Sequence, residues 1–431
     1  MKAWRERLAL MLYGLLMTLL QPFLLIKLLW RSRREPGYRH AMAARLGWYG
    51  SACPSQPGWI WLHAVSLGET RAAVALVAAL RESFPTMRLL VTHSTATGWE
   101  AGKALMRCGD LQVWAPWDSP GAVRRFLTRF EPVVGLVMET EVWPGWMSQS
   151  HRIGVPMVLL NARLSSRSAR KALAWGRLMR PAYEKFSLVL AQSSPDAQRL
   201  QSLGAGPVHV IGNLKYDMRP DQALLDQAAD WRRRLKRPVV LLASSRDGEE
   251  SMWAQAVQEM GVTPEVQWLI VPRHPQRVQP VESMLRARGW AVSRRSAWLP
   301  CGPEVRLHEP STIWLGDSLG EMALFYGLAD VALLGGSFAP LGGQNLMEAL
   351  ACGCPVISGP HMDNFRQAQA DLAGDALSCA GNMREALDLA LSWVADGRAR
   401  ATKGELGRAQ VAAHRGAVER SMLHLRAPLG G

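Results

Sequence analysis

Two stretches in the first half of the chain carry side chains able to move a proton or hold a developing charge. In His63-Ala64-Val65-Ser66-Leu67-Gly68-Glu69-Thr70 an apolar run turns into an amphipathic one, which places Glu69 where a strand end meets a helix. Ligands of open α/β sheets bind at such ends. Glu69 is therefore either a general base reaching a substrate hydroxyl or an acidic cap on the helix N-terminus. In Met138-Glu139-Thr140-Glu141-Val142-Trp143-Pro144 two carboxylates follow another apolar run beside an aromatic and a proline. Such carboxylates orient a sugar or stabilise an oxocarbenium-like transition state, or else cap the helix that Pro144 opens. Asn213-Leu214-Lys215-Tyr216-Asp217 adds a lysine that neutralises a donor carboxylate or phosphate, or else Lys215 and Asp217 together solvate a linker.

The second half carries three strand-end loops of a different kind. Val271-Pro272-Arg273-His274-Pro275 holds Arg273 between two prolines, in a backbone suited to presenting groups to a base or phosphate. Gly316-Asp317-Ser318-Leu319-Gly320-Glu321 opens a helix whose first N–H groups suit an anion. The third runs from Gly335-Gly336-Ser337-Phe338 to Gly342-Gly343-Gln344-Asn345-Leu346-Met347-Glu348, a glycine-rich loop meeting a helix with Asn345 and Glu348 on one face. Its glycines are turn formers at the least. Three such loops in one half favour a nucleotide site, with Glu348 on ribose hydroxyls. No strand leads into a full GxGxxG, so a dinucleotide cofactor has no support.

These loops need strands to present them. Apolar runs at 59–65, 88–92, 112–115, 133–138, 155–160, 188–191 and 208–211 alternate with amphipathic stretches such as 72–80 and 122–130, the pattern of βα units around a parallel sheet. A second series runs through 239–243, 268–271, 291–293, 312–315, 331–334 and 356–358, and helices follow from about Met383 to Leu425. The expected fold class is α/β of GT-B type, two Rossmann-like domains facing a central cleft, behind an N-terminal hydrophobic helix. The expected boundaries are a membrane anchor over 1–34, an acceptor-binding Rossmann-like domain over 35–216, a polar and basic linker over 217–237, and a nucleotide-binding Rossmann-like domain with terminal helices over 238–431.

Composition narrows the partners. A net charge of +14 attracts something anionic, whether nucleic acid, membrane or a phosphorylated substrate. The basic residues are spread along the chain and no nucleic-acid-binding signature accompanies them, which sets nucleic acid aside. Six cysteines, Cys53, Cys108, Cys301, Cys352, Cys354 and Cys379, form no CxxC pair and no zinc-type spacing, so they read as reduced thiols. Residues 8–30 are apolar enough to enter or cross a bilayer core of roughly 30 Å. Arg31, Arg33, Arg34 and Arg39 outnumber Lys2, Arg5 and Arg7, which favours a body on the cytoplasmic side. No small-residue cleavage site follows the apolar run, so an anchor is expected in place of a signal peptide. Pro22 and Lys27 also suit a helix that enters one leaflet only.

The chain resembles the 3-deoxy-D-manno-octulosonic acid (Kdo) transferases of lipopolysaccharide synthesis. The resemblance runs from the hydrophobic N-terminus to the C-terminal helices and rests on six strings in order: SLGE ending at Glu69, METEVWP ending at Pro144, NLKYD ending at Asp217, PRHP ending at Pro275, GDSLGE ending at Glu321, and GGSF followed by GGQNLMEA ending at Ala349. It implies an inverting transferase that moves Kdo from CMP-Kdo to the lipid A precursor lipid IVA at the cytoplasmic face of a bacterial inner membrane. Glu69 is then the base, and Glu139 and Lys215 stabilise the transition state. CMP is held by Pro272, Arg273, Leu319, Gly320, Glu321, Asn345, Leu346, Met347 and Glu348. No Asp-x-Asp stands at a strand end, so neither metal nor other cofactor is expected. The implied partners are the CMP-Kdo donor, the lipid A precursor and an anionic membrane surface. Two other readings stand beside this one, a GT-B transferase using a UDP-sugar and a non-catalytic basic membrane adaptor.

Overall fold

Runs such as Trp59–His63, apolar on both faces and lacking the polar alternation of a half-solvated strand, belong in a sheet covered by helices on both sides. The computed structural model describes residues 2–33, 35–50, 57–235, 237–261, 266–300, 302–303, 312–372 and 374–429. Arg34, Cys53 and Cys301, named above, lie outside the described residues. Two compact units form: Met1–Met218 with His414–Gly431, and Arg219–Ala413.

The first unit is built on β1 (Trp59–His63), β2 (Arg88–His93), β3 (Leu111–Trp114), β4 (Pro132–Met138), β5 (Met157–Ala162), β6 (Leu188–Ala191) and β7 (Val208–Val210). Their order is β3-β2-β1-β4-β5-β6-β7, parallel throughout. The order reverses between β1 and β4, and at such a switch point the carboxyl ends of the strands open a crevice. Glu69 follows β1 and Glu139 follows β4, so both stand at that reversal. The helix Leu67–Ser83 buries Thr70, Ala72, Ala73, Leu76, Val77 and Leu80, a spacing that keeps one face on the sheet.

The apolar helix Lys2–Arg31 does not stand apart from this unit. Tyr13, Gly14, Met17, Gln21, Leu24 and Leu28 turn toward the body, while Met11, Leu15, Leu19, Phe23, Ile26 and Trp30 are exposed on the opposite side. Its hydropathy and length suffice to cross a membrane, and only a small share of it is buried.

The second unit carries β8 (Val239–Ser245), β9 (Gln267–Pro272), β10 (Ala291–Arg294), β11 (Thr312–Leu315), β12 (Val331–Leu334), β13 (Val356–Ser358) and β14 (Leu377–Cys379), again all parallel, in the order β10-β11-β9-β8-β12-β13-β14. The edge strand β14 was not anticipated: it is three residues long and includes Ser378 and Cys379, too short and polar to register as an apolar run.

Two boundaries differ from expectation. The stretch assigned to a linker contains the helix Gln222–Arg234, whose Ala228 and Trp231 are buried and whose Arg232 makes two bonds to Asp330 at 3.0 and 2.7 Å. Its basic run sits in the last helical turn, where cations are favourable. The C-terminal helix Ala417–Leu425, assigned to the second domain, belongs with the first unit. The Asp217 carboxylate accepts from the Gly416 and Val418 N–H groups at 2.7 and 2.5 Å, and Arg420 donates to the Ile211 carbonyl at 2.7 Å. Asp217 thus ties down a helix end and does not solvate a linker.

Candidate active site

Ser66 is the N-cap of Leu67–Ser83 but makes no side-chain capping bond, and Glu69 in the first turn reaches back instead. Its Oε2 accepts from the Val65 N–H at 2.7 Å, and Ser66 Oγ donates to Oε1 at 3.4 Å. Both readings of this residue therefore hold geometrically, since the carboxylate caps the helix and remains half-exposed at the strand edge. Its carboxyl is nonetheless raised. Burial pushes the Glu69 carboxyl up to about 7, with Glu139 and Glu141 adding repulsion against the opposing Val65 and Ser66 hydrogen bonds. Those N–H groups alone would hold the carboxyl low. A carboxyl poised near neutrality suits a general base.

The neighbouring histidines do not compete for that role. His63 and His93 are fully buried, with Nδ1 bonded to Thr92 Oγ1 and to the Ala64 carbonyl, each at 2.8 Å. Burial drives them down to about 3 and about 4, so both stay neutral through the range in which Glu69 titrates.

Glu139 and Lys215, 76 positions apart in sequence, are brought together. Lys215 Nζ donates to Glu139 Oε1 at 2.7 Å, and Arg163 Nε lies 3.2 Å from Oε2. Glu139 is 5% exposed and adopts φ +55°, a left-handed conformation unfavourable for a residue with a Cβ. Strain of this sort persists where the surroundings over-determine it. Here β4, the Lys215 turn and Arg163 do so. Asn161, at the end of β5, is the second left-handed residue on this edge, with φ +51°. Its Oδ1 accepts from the Leu214 N–H at 3.0 Å and seats the turn Leu214–Asp217 against the sheet. Glu141 accepts from Trp143 Nε1 at 2.7 Å, and its carboxyl is raised by burial and then by Glu139.

Behind this edge lies Asp118, 3% exposed, which accepts from the Gly145 and Trp146 N–H groups at 2.9 and 2.7 Å and from the Tyr13 hydroxyl at 2.8 Å. Burial raises it to about 7 against those three hydrogen bonds.

In the second unit the expected nucleotide residues follow β9, β11 and β12 at their carboxyl ends. Pro272 closes β9 and Arg273 is fixed by its N–H donating to the Ser245 carbonyl at 2.9 Å. Leu319 is 76% exposed, Gly320 has φ +83°, and Glu321 pairs with Arg295 at 2.9 Å while accepting from the Ser318 hydroxyl. Asn345 caps the short helix Leu346–Ala351, its Oδ1 accepting from the Met347 N–H at 3.1 Å. The Leu346 and Met347 side chains face the core, so only their main chain is available to a ligand. Glu348 is half-buried. The buried Tyr326 hydroxyl is pushed well above its ordinary value by burial and then Glu348, with Arg273 acting the other way. One buried side chain thus senses both Glu348 and Arg273.

The residue that shapes this loop was not singled out from the sequence. Glu249, fully buried, accepts from the N–H groups of Gly336 at 2.6 Å, Phe338 at 3.0 Å, Ala339 at 3.4 Å and Arg246 at 2.8 Å. Two glycines make the close approach possible: a Cβ on Gly335 would lie 2.4 Å from the Ser244 carbonyl oxygen, and one on Gly343 2.4 Å from Met362 Sδ. Asn161 and Arg163 were missed in the same way. A polar Asn interrupting the apolar run of β5 was the available signal for the first; nothing local marks the second. Among the described residues no group of three or more His, Cys, Asp or Glu side chains is placed to hold a metal ion.

Comparison with known proteins bears on both units. A family model described as 3-Deoxy-D-manno-octulosonic-acid transferase (kdotransferase) matches residues 40–218. The 3-deoxy-D-manno-octulosonic acid transferase of Bordetella pertussis is 43% identical over 97% of this chain and 99% of its own. The transferase of that name from Haemophilus influenzae is 34% identical over 82% of each chain. Among solved structures, a putative UDP-N-acetylglucosamine 2-epimerase from Listeria monocytogenes superposes with TM-score 0.55 at 12% identity, over 86% of this chain and 96% of that one. Anabaena HepE in complex with UDP superposes with TM-score 0.55 at 15% identity, over 85% and 99%. These two likenesses speak to fold alone, and with the two parallel sheets they bear out the expected Rossmann-like pair of GT-B type.

Proposed function

The chain belongs to the 3-deoxy-D-manno-octulosonic acid (Kdo) transferases, and from that premise we propose that it carries Kdo from CMP-Kdo to a lipid A precursor, with inversion, at the cytoplasmic face of a bacterial inner membrane. Glu69 removes the proton from an acceptor sugar hydroxyl. That oxygen bonds to the anomeric carbon of Kdo as the bond from this carbon to the CMP phosphate oxygen breaks on the opposite face, which inverts configuration. The Lys215–Glu139–Arg163 cluster, joined by ion pairs, stabilises the charge that develops during transfer. Arg273 meets the leaving phosphate, Glu348 the ribose, and Pro272, Leu319 to Glu321 and the main chain from Asn345 to Met347 frame the nucleotide. Phosphate charge is met by these groups without metal, and transfer is expected to survive EDTA.

The observation that carries this reading is the Glu69 carboxyl, raised to about 7 at the same sheet edge as the Glu139–Lys215 pair. A basic membrane adaptor has no use for a carboxyl tuned to neutrality. The apolar helix Lys2–Arg31 supports placement at a membrane, where a water-soluble donor and a lipid acceptor meet.

Purified full-length protein in detergent, incubated with CMP-Kdo and a lipid A precursor, is expected to increase the acceptor mass by one or more Kdo units. Transfer from a UDP-sugar in its place, or no mass gain, overturns the donor assignment.

A further inference from the structure

The hydrophobic helix grips the body at consecutive residues of one loop. Tyr13 donates its hydroxyl to Asp118 at 2.8 Å, Gln21 donates to Ser119 Oγ at 2.5 Å, and Gly14 lies so close to Pro120 that a Cβ there would sit 2.7 Å from its ring. Asp118 is the member of that loop that reaches further. Its other two hydrogen bonds come from Gly145 and Trp146, in the first turn of the helix Pro144–Ile153. First-turn N–H groups lack partners within their own helix, and a carboxylate there satisfies both charge and geometry. A Cβ at Gly145 would lie 2.4 Å from Asp118 Oδ1, so this contact depends on glycine.

The segment fixed in this way is the one that follows Glu139 and Glu141. Its near end is held by β4 and its far end by Asp118. The Trp146 ring also packs edge-on against His63, ring centroids 4.7 Å apart, and His63 ends the strand that leads to Glu69. Helix capping alone would need only the Gly145 and Trp146 bonds. The hydroxyl of Tyr13 adds a third, from an element whose other face is turned outward.

We propose that Tyr13 is a positioning residue for the transfer reaction: through Asp118 it fixes the start of Pro144–Ile153 and so the segment bearing Glu139 and Glu141, which makes the docked hydrophobic helix part of the catalytic scaffold as well as an anchor. This rests on the role given to Glu139 above. Displacements near 1 Å at a reacting centre cost up to about a hundredfold in rate, so loss of one of three bonds to Asp118 is expected to cost roughly five- to twentyfold.

The test compares Tyr13→Phe, Gln21→Leu and Glu139→Gln in the full-length, detergent-solubilised protein. Three quantities are read for each: kcat and donor KM in transfer, and amide exchange at Gly145 and Trp146. Tyr13→Phe is expected to lower kcat about five- to twentyfold with donor KM unchanged and to speed exchange at both amides, while Gln21→Leu changes neither. The proposal is overturned if Tyr13→Phe leaves kcat within twofold of the parent. It is equally overturned if Gln21→Leu lowers kcat as much, since general loosening of the helix then suffices. A Glu139→Gln enzyme with parental turnover brings down the role of Glu139 instead, and the exchange data still report whether Tyr13 holds the loop.

Discussion

The carboxyl edges of the two sheets use acidic residues in opposite ways. In the first unit Glu69 stays partly exposed with its carboxyl raised to about 7, and Glu139 is paired with Lys215 and Arg163. In the second unit Glu249 is spent wholly on four main-chain N–H groups, and Glu250 on Ser245 and Arg277 at 2.8 Å each. One edge offers side-chain chemistry and the other a backbone surface held in shape by buried carboxylates. The difference shows that an acidic residue at a strand end is informative only once its partners and exposure are known: a fully buried carboxyl spent on main-chain N–H groups, as at Glu249, holds a loop, whereas a partly exposed one raised by burial and like charge, as at Glu69, is open to a proton.

The largest loss is expected at the Glu139–Lys215 ion pair. Glu139→Ala or Lys215→Ala should each lower turnover about 10²- to 10³-fold, the size of losing one preorganised group at a site of developing charge. Thermal protection by CMP should be unchanged in both. Because the two act as one unit, the double variant should be little worse than either single one; multiplicative losses would mean independent roles.

Glu348→Ala is expected to weaken CMP binding roughly tenfold, the value of a hydrogen bond to a charged group, without altering the pH dependence of transfer. Isothermal titration with CMP checks this, and parental affinity would remove Glu348 from the nucleotide site. Glu249→Ala should lower stability by about 1–3 kcal/mol through unsatisfied N–H groups, and with it the melting temperature and CMP protection. A variant with parental stability would mean that the glycine loop holds its shape without that carboxylate.

The smallest expected effect concerns the titration of Glu69. A single required base loses rate as pH falls through its own titration, so kcat/KM should drop below about pH 7. Glu141 raises the Glu69 carboxyl by repulsion, and removing that charge in Glu141→Gln lowers it. The acid limb should therefore move to lower pH and activity persist further into acid. A pH–rate profile displaced the other way, or not at all, would separate Glu141 from Glu69.

Most strands and the Rossmann-like pair were legible because buried parallel strands are continuous apolar runs, and strand-end motifs stand out against them. Less legible were features that need tertiary partners. The helix Gln222–Arg234 buries just Ala228 and Trp231, which leaves a composition that reads as polar linker. The return of Ala417–Leu425 to the first unit depends on Asp217, whose partners lie about two hundred positions away. Glu139 and Lys215 were each recognisable from their motifs, but their pairing, the contribution of Arg163 and the left-handed backbone at Glu139 follow from the fold. Tyr13 lay inside an apolar run read for its hydropathy, and its hydroxyl acquires meaning only beside Asp118.

The division of chemistry from nucleotide binding puts Glu69 on the chemical side of the proposed mechanism. This is tested most directly by measuring, on one preparation of Glu69→Ala, both Kdo transfer to the lipid A precursor by mass spectrometry and the shift in melting temperature caused by CMP. Transfer is expected to fall about 10²- to 10⁴-fold beside a CMP shift equal to the parent's. Near-parental transfer would return Glu69 to the role of a helix cap and rule it out as the base.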